Sequence, residues 1–551
     1  KVGNGICHQL NLERFSSPGE TLLGADSHTT TGGAVGALAI GAGGLDVAVA
    51  MGGRPFFLNM PKVMGITLTG ALRPWSTAKD VALEILRRLT VSGGRGHVLE
   101  FRGEALAGLS LTERAVIANM SIETGAFTAV FPSDGRTREF FARQGRAGDW
   151  KELAADPGAR YSSEAEIDLS AIEPLAAVPD SPDNVKKVSE LAGVPVDQVA
   201  IGSCTNSSYR DLMTAAALLK GKAVPPQVSL VVAPGSRQVY WELARRGALA
   251  DLIASGARIM EAACGFCNGV GQAPQTKGVS LRTSNRNFPG RSGTPSAGLY
   301  LVSPETAAAS AVAGRLTDPR ELGDPPRVEL PDSFQLDDSM FIDPAPEAEA
   351  AALEIVRGPS IAPLPLFGPL PDSVEAPVML ALGDNVTTDD ILPAGAHILA
   401  LRANIPAISR YVFSNIEPDF HLRQKESGTG FVTGGANYGQ GSSREHAALG
   451  PRYLGLTGVI AESFARIHQA NLCNFGLLPL VFTDPKDRRW VLQGHTLRID
   501  GLRSKLKPGA HFAVLDATAA REFEVRLDAS ERQAEMLLAG GLLALSGKAQ
   551  A

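Results

Sequence analysis

Val199-Ala-Ile-Gly-Ser-Cys204 reads as a buried strand running straight into a cysteine, and the chain around it repeats that grammar. Asp211 to Leu219 has helical periodicity, Val228-Ser-Leu-Val-Val is the next strand, and Val239 to Ala254 is helical again. Ala257-Arg-Ile-Met then leads into Ala262-Ala-Cys-Gly-Phe-Cys267. Strands alternating with helices at this spacing predict parallel α/β units. In such sheets ligands sit beyond the carboxyl ends of the strands. Cys204, Cys264 and Cys267 all fall there, which favours function over packing.

Length and composition bound the rest. The 551 residues predict roughly three to four domains. A charged fraction of 20% and an apolar fraction of 44% are ordinary for a globular protein. Aromatics at 6%, a net charge of -6 and the lack of any long basic run argue against specific nucleic-acid binding. Five cysteines in so long a chain do not form a disulfide framework, so a reducing compartment, the cytoplasm, is expected. No stretch has the length of a membrane span and no signal peptide is visible. The chain opens abruptly at Lys1, and an upstream segment is expected to precede it.

Composition also predicts the domain limits. Between Asp332 and Ala376 stand Pro344, Pro346, Pro359, Pro363, Pro365, Pro369 and Pro371, with an acidic, Ala-rich patch at 347–354. This predicts a proline-stiffened linker over 332–376. Residues 1–331 precede it, with a further break near Pro179 to Asn184, and a second α/β region occupies 377–551.

Three cysteines invite three chemistries. A Cys-x-x-Cys pair can belong to zinc, to a redox dithiol or to an iron–sulfur cluster. Zinc favours a fourth Cys or His nearby, and no histidine stands between Cys204 and Cys267. A dithiol has no use for Cys204. Three thiolates on a four-iron cluster leave one iron without a protein ligand, and such an iron can act as a Lewis acid. Three inert core cysteines are the bland alternative. Cys7 and Cys473 are read as core or incidental.

Three other constellations carry polar chemistry. Asp26-Ser-His28 follows the short strand Leu22-Leu-Gly-Ala, with His8 in a Gly-rich turn upstream; an acid and a histidine there can handle protons. Glu123 could orient a histidine, although alone it reads as a helix-surface charge. Arg286 and Arg291, in Thr283-Ser-Asn-Arg-Asn-Phe-Pro-Gly-Arg, suit bidentate capture of carboxylates or form a solvated basic loop. In Ala436-Asn-Tyr-Gly-Gln-Gly-Ser-Ser-Arg-Glu-His446 a strand enters a Gly-rich loop and then a helix from about Glu445. That loop could bind an anion on its N–H groups, with Arg444 on a carboxylate and a serine alkoxide as base, or act purely as a helix cap.

In combination these motifs resemble the aconitase family, over nearly the whole chain from Gly3-Asn-Gly-Ile-Cys-His to Gly476-Leu-Leu-Pro. The resemblance implies an α/β protein with three α/β domains, the first incomplete, around a cluster, then a linker and a C-terminal swivelling α/β domain. It implies a [4Fe–4S] cluster on Cys204, Cys264 and Cys267, with one iron not ligated by protein and open to the hydroxyl and a carboxylate of the substrate. Asn119, Asn206 and Asn285 would lie near it. Ser442 would be the base, with Ser443 and Arg444 binding substrate and brought to the cluster by the swivel. Arg286, Arg291 and Arg402 would hold carboxylates, and Ser27 and Asp389 would line the site. His8 with Asp26, and His28 with Glu123, would handle protons.

The activity so implied is interconversion of citrate and isocitrate through cis-aconitate, in a monomer whose partner is a small tri- or dicarboxylic acid. Homoaconitate, a methylcitrate-derived acid or isopropylmalate is the alternative substrate, and a regulator that binds RNA when the cluster is lost is a different class. The family carries an upstream Asp-His pair and a glutamine that have no counterpart here. The chain is therefore expected to be a fragment of a larger product, and impaired if it acts as it stands.

Overall fold

The computed structural model describes residues 1–548, which divide into two units. The first comprises Lys1–Leu23, His28–Ile40 and Pro61–Glu354. The second comprises Gly24–Ser27, Gly41–Met60 and residues from Ile355 onward. A two-stranded ribbon, β1 (Thr21–Gly24) and β2 (Leu38–Gly41), stands near the start of the chain.

Two sheets build the first unit. Strands β3 (Lys62–Thr69), β4 (His97–Arg102), β5 (Thr128–Val130) and β6 (Ser163–Asp168) pair in parallel in the order β5-β4-β3-β6. Helices Ala78–Leu89 and Leu111–Ser121 belong to this part of the chain, each opened by a capping box, Thr77 with Asp80 and Ser110 with Glu113. Such reciprocal side-chain bonds satisfy N–H groups that a helix start would otherwise leave orphaned.

The second sheet contains β7 (Leu175–Ala177), β8 (Val185–Lys187), β9 (Gln198–Ile201), β10 (Ser229–Val232), β11 (Arg258–Ile259), β12 (Val279–Arg282) and β13 (Gly298–Leu301). Its order is β11-β10-β9-β12-β13-β7-β8, with β9 to β13 parallel and β7 and β8 antiparallel at one side. Every residue of β9 is buried, as a strand covered on both faces requires. From β9 the chain winds out through β10 and β11, then returns to lay β12 on the other side of β9. The strand order therefore reverses between β9 and β12, and that crevice is where open α/β sheets bind ligands.

Two expectations change. The helix predicted over Val239 to Ala254 is two helices, Arg237–Arg245 and Ala248–Ala254. They break at Gly247, whose φ of 77° is left-handed and interrupts the backbone ladder. The stretch from Pro179 to Asn184 is not a boundary. It joins β7 to β8, which pair antiparallel within one sheet, and the chain changes sheets between Asp168 and Leu175.

The second unit is built on a closed barrel in the order β14-β15-β16-β17-β20-β19-β18. Its strands are β14 (Val374–Ala381), β15 (Gly430–Gly434), β16 (Leu456–Ala461), β17 (Leu478–Phe482), β18 (Thr496–Ile499), β19 (His511–Asp516) and β20 (Arg521–Leu527). The first four pair in parallel and the last three close the ring antiparallel, which leaves no strand edge. Strand β14 starts within the stretch predicted as linker. The earlier part of that stretch is irregular and mostly exposed apart from the short helix Glu347–Ala350 and the buried Leu370.

The second unit also takes residues that composition assigned to the N-terminal part. Leu45 belongs to the same apolar core as Val459 and Leu480. Asn474 Nδ2 donates to Asp46 Oδ2 at 2.8 Å, and a Cβ on Gly43 would stand 2.1 Å from Asn471 Oδ1. Only glycine permits that approach. Among the described residues no helix is long and apolar enough to cross a membrane.

Candidate active site

In the first unit the site begins at the reversal between β9 and β12. Gly202 (φ 134°) and Ser203 (φ 69°) turn the chain sharply after β9, and a Cβ on Gly202 would stand 2.2 Å from the carbonyl oxygen of Ala233. A left-handed serine costs about 1–2 kcal/mol, and such strain gathers where a side chain must be aimed. Here it aims Cys204. Asn285, three residues beyond β12, donates Nδ2–H to Cys204 Sγ at 3.2 Å, and Asn119, in the last turn of helix Leu111–Ser121, donates to the same sulfur at 3.4 Å. Asn119 Oδ1 accepts from Thr205 Oγ1 and Asn285 Nδ2, each at 3.0 Å, so the two amides hold one another in place.

The other two thiols lie on the turn after β11. Cys267 N donates to the Cys264 carbonyl at 2.9 Å, closing the Cys-x-x-Cys loop. Cys264 is exposed, Cys267 is buried, and Arg291 Nη2 reaches Cys267 Sγ at 3.5 Å. None of the cysteines is in a disulfide. Asn206, two residues after Cys204, donates Nδ2–H to Asp211 Oδ1 at 3.1 Å. Cys473 lies in the core, whereas Cys7 is exposed.

Beside the thiols lies a buried charge relay. His28 Nε2 stands 2.8 Å from Glu123 Oε1, and Arg286 Nε donates to Glu123 Oε2 at 3.0 Å. The sequence suggested a surface charge for Glu123 and allowed a solvated loop for the arginines. Instead Glu123 is 6% exposed, Arg286 2% and Arg291 7%, because these two arginines occupy the turn after a central strand. Burial pushes the Glu123 carboxyl up, but Arg286 and His28 outweigh it and hold the group below its ordinary range. His8 packs against His28 edge to face, ring centroids 6.3 Å apart.

A stability prediction arises here. Glu123→Gln should cost about 3–5 kcal/mol at neutral pH, because the buried Arg286 guanidinium loses the carboxylate charge it pairs with. The wild-type carboxyl is depressed in the folded state. Its contribution is therefore fully present above the unfolded value near 4.5 and lost as pH falls through the folded value. Urea unfolding should show the gap between the two proteins closing below about pH 4.

The second unit presents the loop between β15 and helix His446–Tyr453. Gly439 and Gly441 take φ of 83° and 105°. Ser442 N donates to Thr388 Oγ1 at 3.1 Å, and Ser443 Oγ donates to the Ala25 carbonyl at 3.0 Å. Arg444 is braced by Asp389 Oδ1 at 2.9 Å and by the carbonyls of Thr388 and Leu392. Asp26 and Ser27, adjacent to Ala25, fall in this unit, whereas His8 and His28 fall in the first. Asp26 is exposed and Ser27 buried. Arg402 is exposed in a turn, and its carbonyl accepts from His446 Nε2 at 2.7 Å, which places that turn beside the start of helix His446–Tyr453.

The aconitase family (aconitate hydratase) model matches residues 1–193 and 184–314, and the aconitase C-terminal domain matches residues 415–485. A mitochondrial aconitate hydratase of Gracilaria gracilis is 35% identical, over 92% of this chain and 73% of its own length. A probable mitochondrial aconitate hydratase of Caenorhabditis elegans is 34% identical, over 98% of this chain and 78% of its own.

The chain belongs to the aconitase family.

Another relative of this aconitase-family chain, 3-isopropylmalate dehydratase large subunit 2 of Archaeoglobus fulgidus, is 43% identical, but over 58% of this chain and 77% of that subunit. The thiols fit an iron–sulfur cluster. Two amide N–H groups already point at Cys204, as hydrogen bonds to cluster sulfurs do, and the buried Oδ1 of Asn285 has no hydrogen-bond partner among the described residues. No group of three or more His, Cys, Asp or Glu among those residues is drawn together to chelate a single ion.

Two buried cations escaped the reading of the sequence. Arg282, the last residue of β12, donates to the Phe266 carbonyl at 2.5 Å and to Gln198 Oε1 at 2.6 Å, bracing the cysteine loop against β9. Burial lowers its pKa to about 10, with Cys267 raising it and Arg291 lowering it further. Lys79, in the first turn of helix Ala78–Leu89, donates to the carbonyls of Thr283 (3.0 Å) and Ser284 (2.5 Å). A basic residue inside an ordinary helix or strand pattern carries no mark in sequence to separate it from a surface charge.

Proposed function

We propose that this chain is a hydro-lyase of the aconitate hydratase type, interconverting citrate and isocitrate through cis-aconitate. The observation that carries the proposal is the gathering of Cys204, the Asn119 and Asn285 amides and the Glu123–Arg286–His28 relay around one crevice of a parallel sheet. Cys204, Cys264 and Cys267 would hold a [4Fe–4S] cluster, which supplies a Lewis-acidic iron when bound.

The residues supply the rest. Glu123 fixes the plane of the Arg286 guanidinium, so that cation meets a substrate carboxylate already oriented. Glu123 also fixes the orientation of the His28 ring, making it a defined acid or base for the departing hydroxyl. Arg291, buried beside Cys267, adds a second cation for a polycarboxylate. Ser442 takes the carbon-bound proton. Arg444, held by Asp389, stands two residues on and favours the alkoxide over the hydroxyl. His8 and Asp26 each hand on protons, and Arg402 receives a further carboxylate.

The likeness to the Archaeoglobus fulgidus subunit favours isopropylmalate as a second reading, although it leaves 42% of this chain uncovered. Reconstitution with iron and sulfide, followed by assay on citrate, isocitrate, cis-aconitate and 3-isopropylmalate, decides between them. Appearance of cis-aconitate absorbance from citrate and isocitrate supports the first reading, and turnover of isopropylmalate alone replaces it.

We read the protein as a monomer without a nucleic-acid partner. Gel filtration and a salt-dependent RNA titration of the apo protein test those points. The free thiols suit a reducing compartment, which we take to be the cytoplasm. Recovery with mitochondria, where the names of two relatives place those proteins, would overturn it.

A further inference from the structure

Lys79 is an unusual place for a positive charge. It is wholly buried, and it stands at the start of a helix, where the backbone dipole already favours anions. Its hydrogen bonds go to two neutral carbonyls, those of Thr283 and Ser284. The adjacent carboxylate, Asp80, is engaged in capping: it accepts from Thr77 N, Thr77 Oγ1 and Leu175 N, each at 2.8 Å. Desolvation drives the ammonium down to about 7, and the charges that oppose this are Asp80, then Cys204, Asp211 and Cys267. A buried cation without an ion partner costs several kcal/mol. Two of the three thiols therefore lie within electrostatic reach of a buried ammonium that its helix neighbour Asp80 opposes through space without forming an ion pair with it.

The carbonyls Lys79 holds are no less telling. Thr283 and Ser284 are the two residues between β12 and Asn285, which donates to Cys204, and Arg286, which holds Glu123. Fixing those two peptide groups fixes where the next two side chains begin.

We propose that Lys79 is a positioning residue of the three-thiol site: the built-in countercharge to its anionic, cluster-loaded form and the clamp on the strand end that carries Asn285 and Arg286. The inference rests on the cluster reading above. Cys204 and Cys267, two of the three residues that would hold the cluster, are the thiols whose charge Lys79 feels, so an anionic group bound there would supply the negative charge the ammonium lacks. The ammonium in turn stabilises the more negative, reduced state, raising the cluster's potential.

Lys79→Gln, which keeps a donor and removes the charge, and Lys79→Arg, which keeps the charge, test this. Each protein is reconstituted with iron and sulfide, and three readings are taken: melting of the apo form, midpoint potential of the bound cluster, and rate of iron loss under chelator. Lys79→Gln should melt near wild type as apo protein, show a more negative midpoint potential and lose iron roughly tenfold faster, the factor for one lost charge-assisted contact. Lys79→Arg should hold the wild-type potential. Lys79→Gln with unchanged potential and iron retention overturns the inference. So does an apo Lys79→Gln protein that unfolds or melts far below wild type, since the charge then serves the fold. A wild-type protein that takes up no cluster refutes the cluster reading instead, and is told apart by its iron and sulfide content.

Discussion

Cys204→Ser, Cys264→Ser and Cys267→Ser should each yield a folded chain that retains no complete cluster and loses citrate turnover by roughly 10³-fold or more. Serine is nearly isosteric with cysteine, so the apo fold should be little disturbed. Cys264 is exposed, and the Cys204 surroundings are held by Asn119, Thr205 and Asn285 bonding to one another. What disappears is a thiolate, the ligand that serine cannot replace at neutral pH. Iron and sulfide analysis, visible absorption and apo melting separate the two effects. Wild-type iron retention in any of the three variants would remove that residue from the ligand set. A collapse of apo stability would make the thiol a packing residue.

Ser442→Ala should have the second largest effect, a fall in kcat of roughly 10²–10⁴-fold, the range for loss of one positioned base, with KM changed little. The loop should survive, because Ser442 is fixed through its backbone N–H to Thr388 Oγ1, which alanine retains. Arg444 keeps Asp389 and the Thr388 and Leu392 carbonyls regardless. Cluster content and potential should match wild type, since Ser442 is not among the three thiols proposed to hold the cluster. A variant that binds less substrate at unchanged kcat would make Ser442 a binding group and move the proton transfer elsewhere.

The parallel architecture and the thiol positions were legible because both are local. A buried run such as Val199 to Ile201 announces a strand, and a cysteine just past it announces what the strand end presents. Long-range pairing was not legible by itself. His28 and Glu123 are 95 positions apart; alone, Glu123 reads as a helix-surface charge and His28 equally well as an ordinary hydrogen-bonded histidine. The barrel closure was missed because its three antiparallel strands form a ring only through the pairings of β14 with β18 and β17 with β20. Gly43 shows a third limit. The glycine is visible in the sequence, but the side chain it must accommodate, Asn471, lies more than four hundred positions away. Composition could therefore not assign residues 41–60 to the second unit.

The reversal of strand order between β9 and β12 sets a timetable for maturation. Cys204 emerges early in synthesis of the second sheet, but its amide neighbour Asn285 arrives only after β10, β11, their helices and the other two thiols. Strand β12 then inserts beside β9, a pairing across about eighty residues. Non-local parallel pairing of this kind is slow compared with helix formation. The pocket proposed to receive iron and sulfide is thus among the last features of its sheet to exist, and cluster insertion would then report that the sheet is finished. Nascent chains halted between Cys267 and β12 should carry all three cysteines and still fail to retain a cluster.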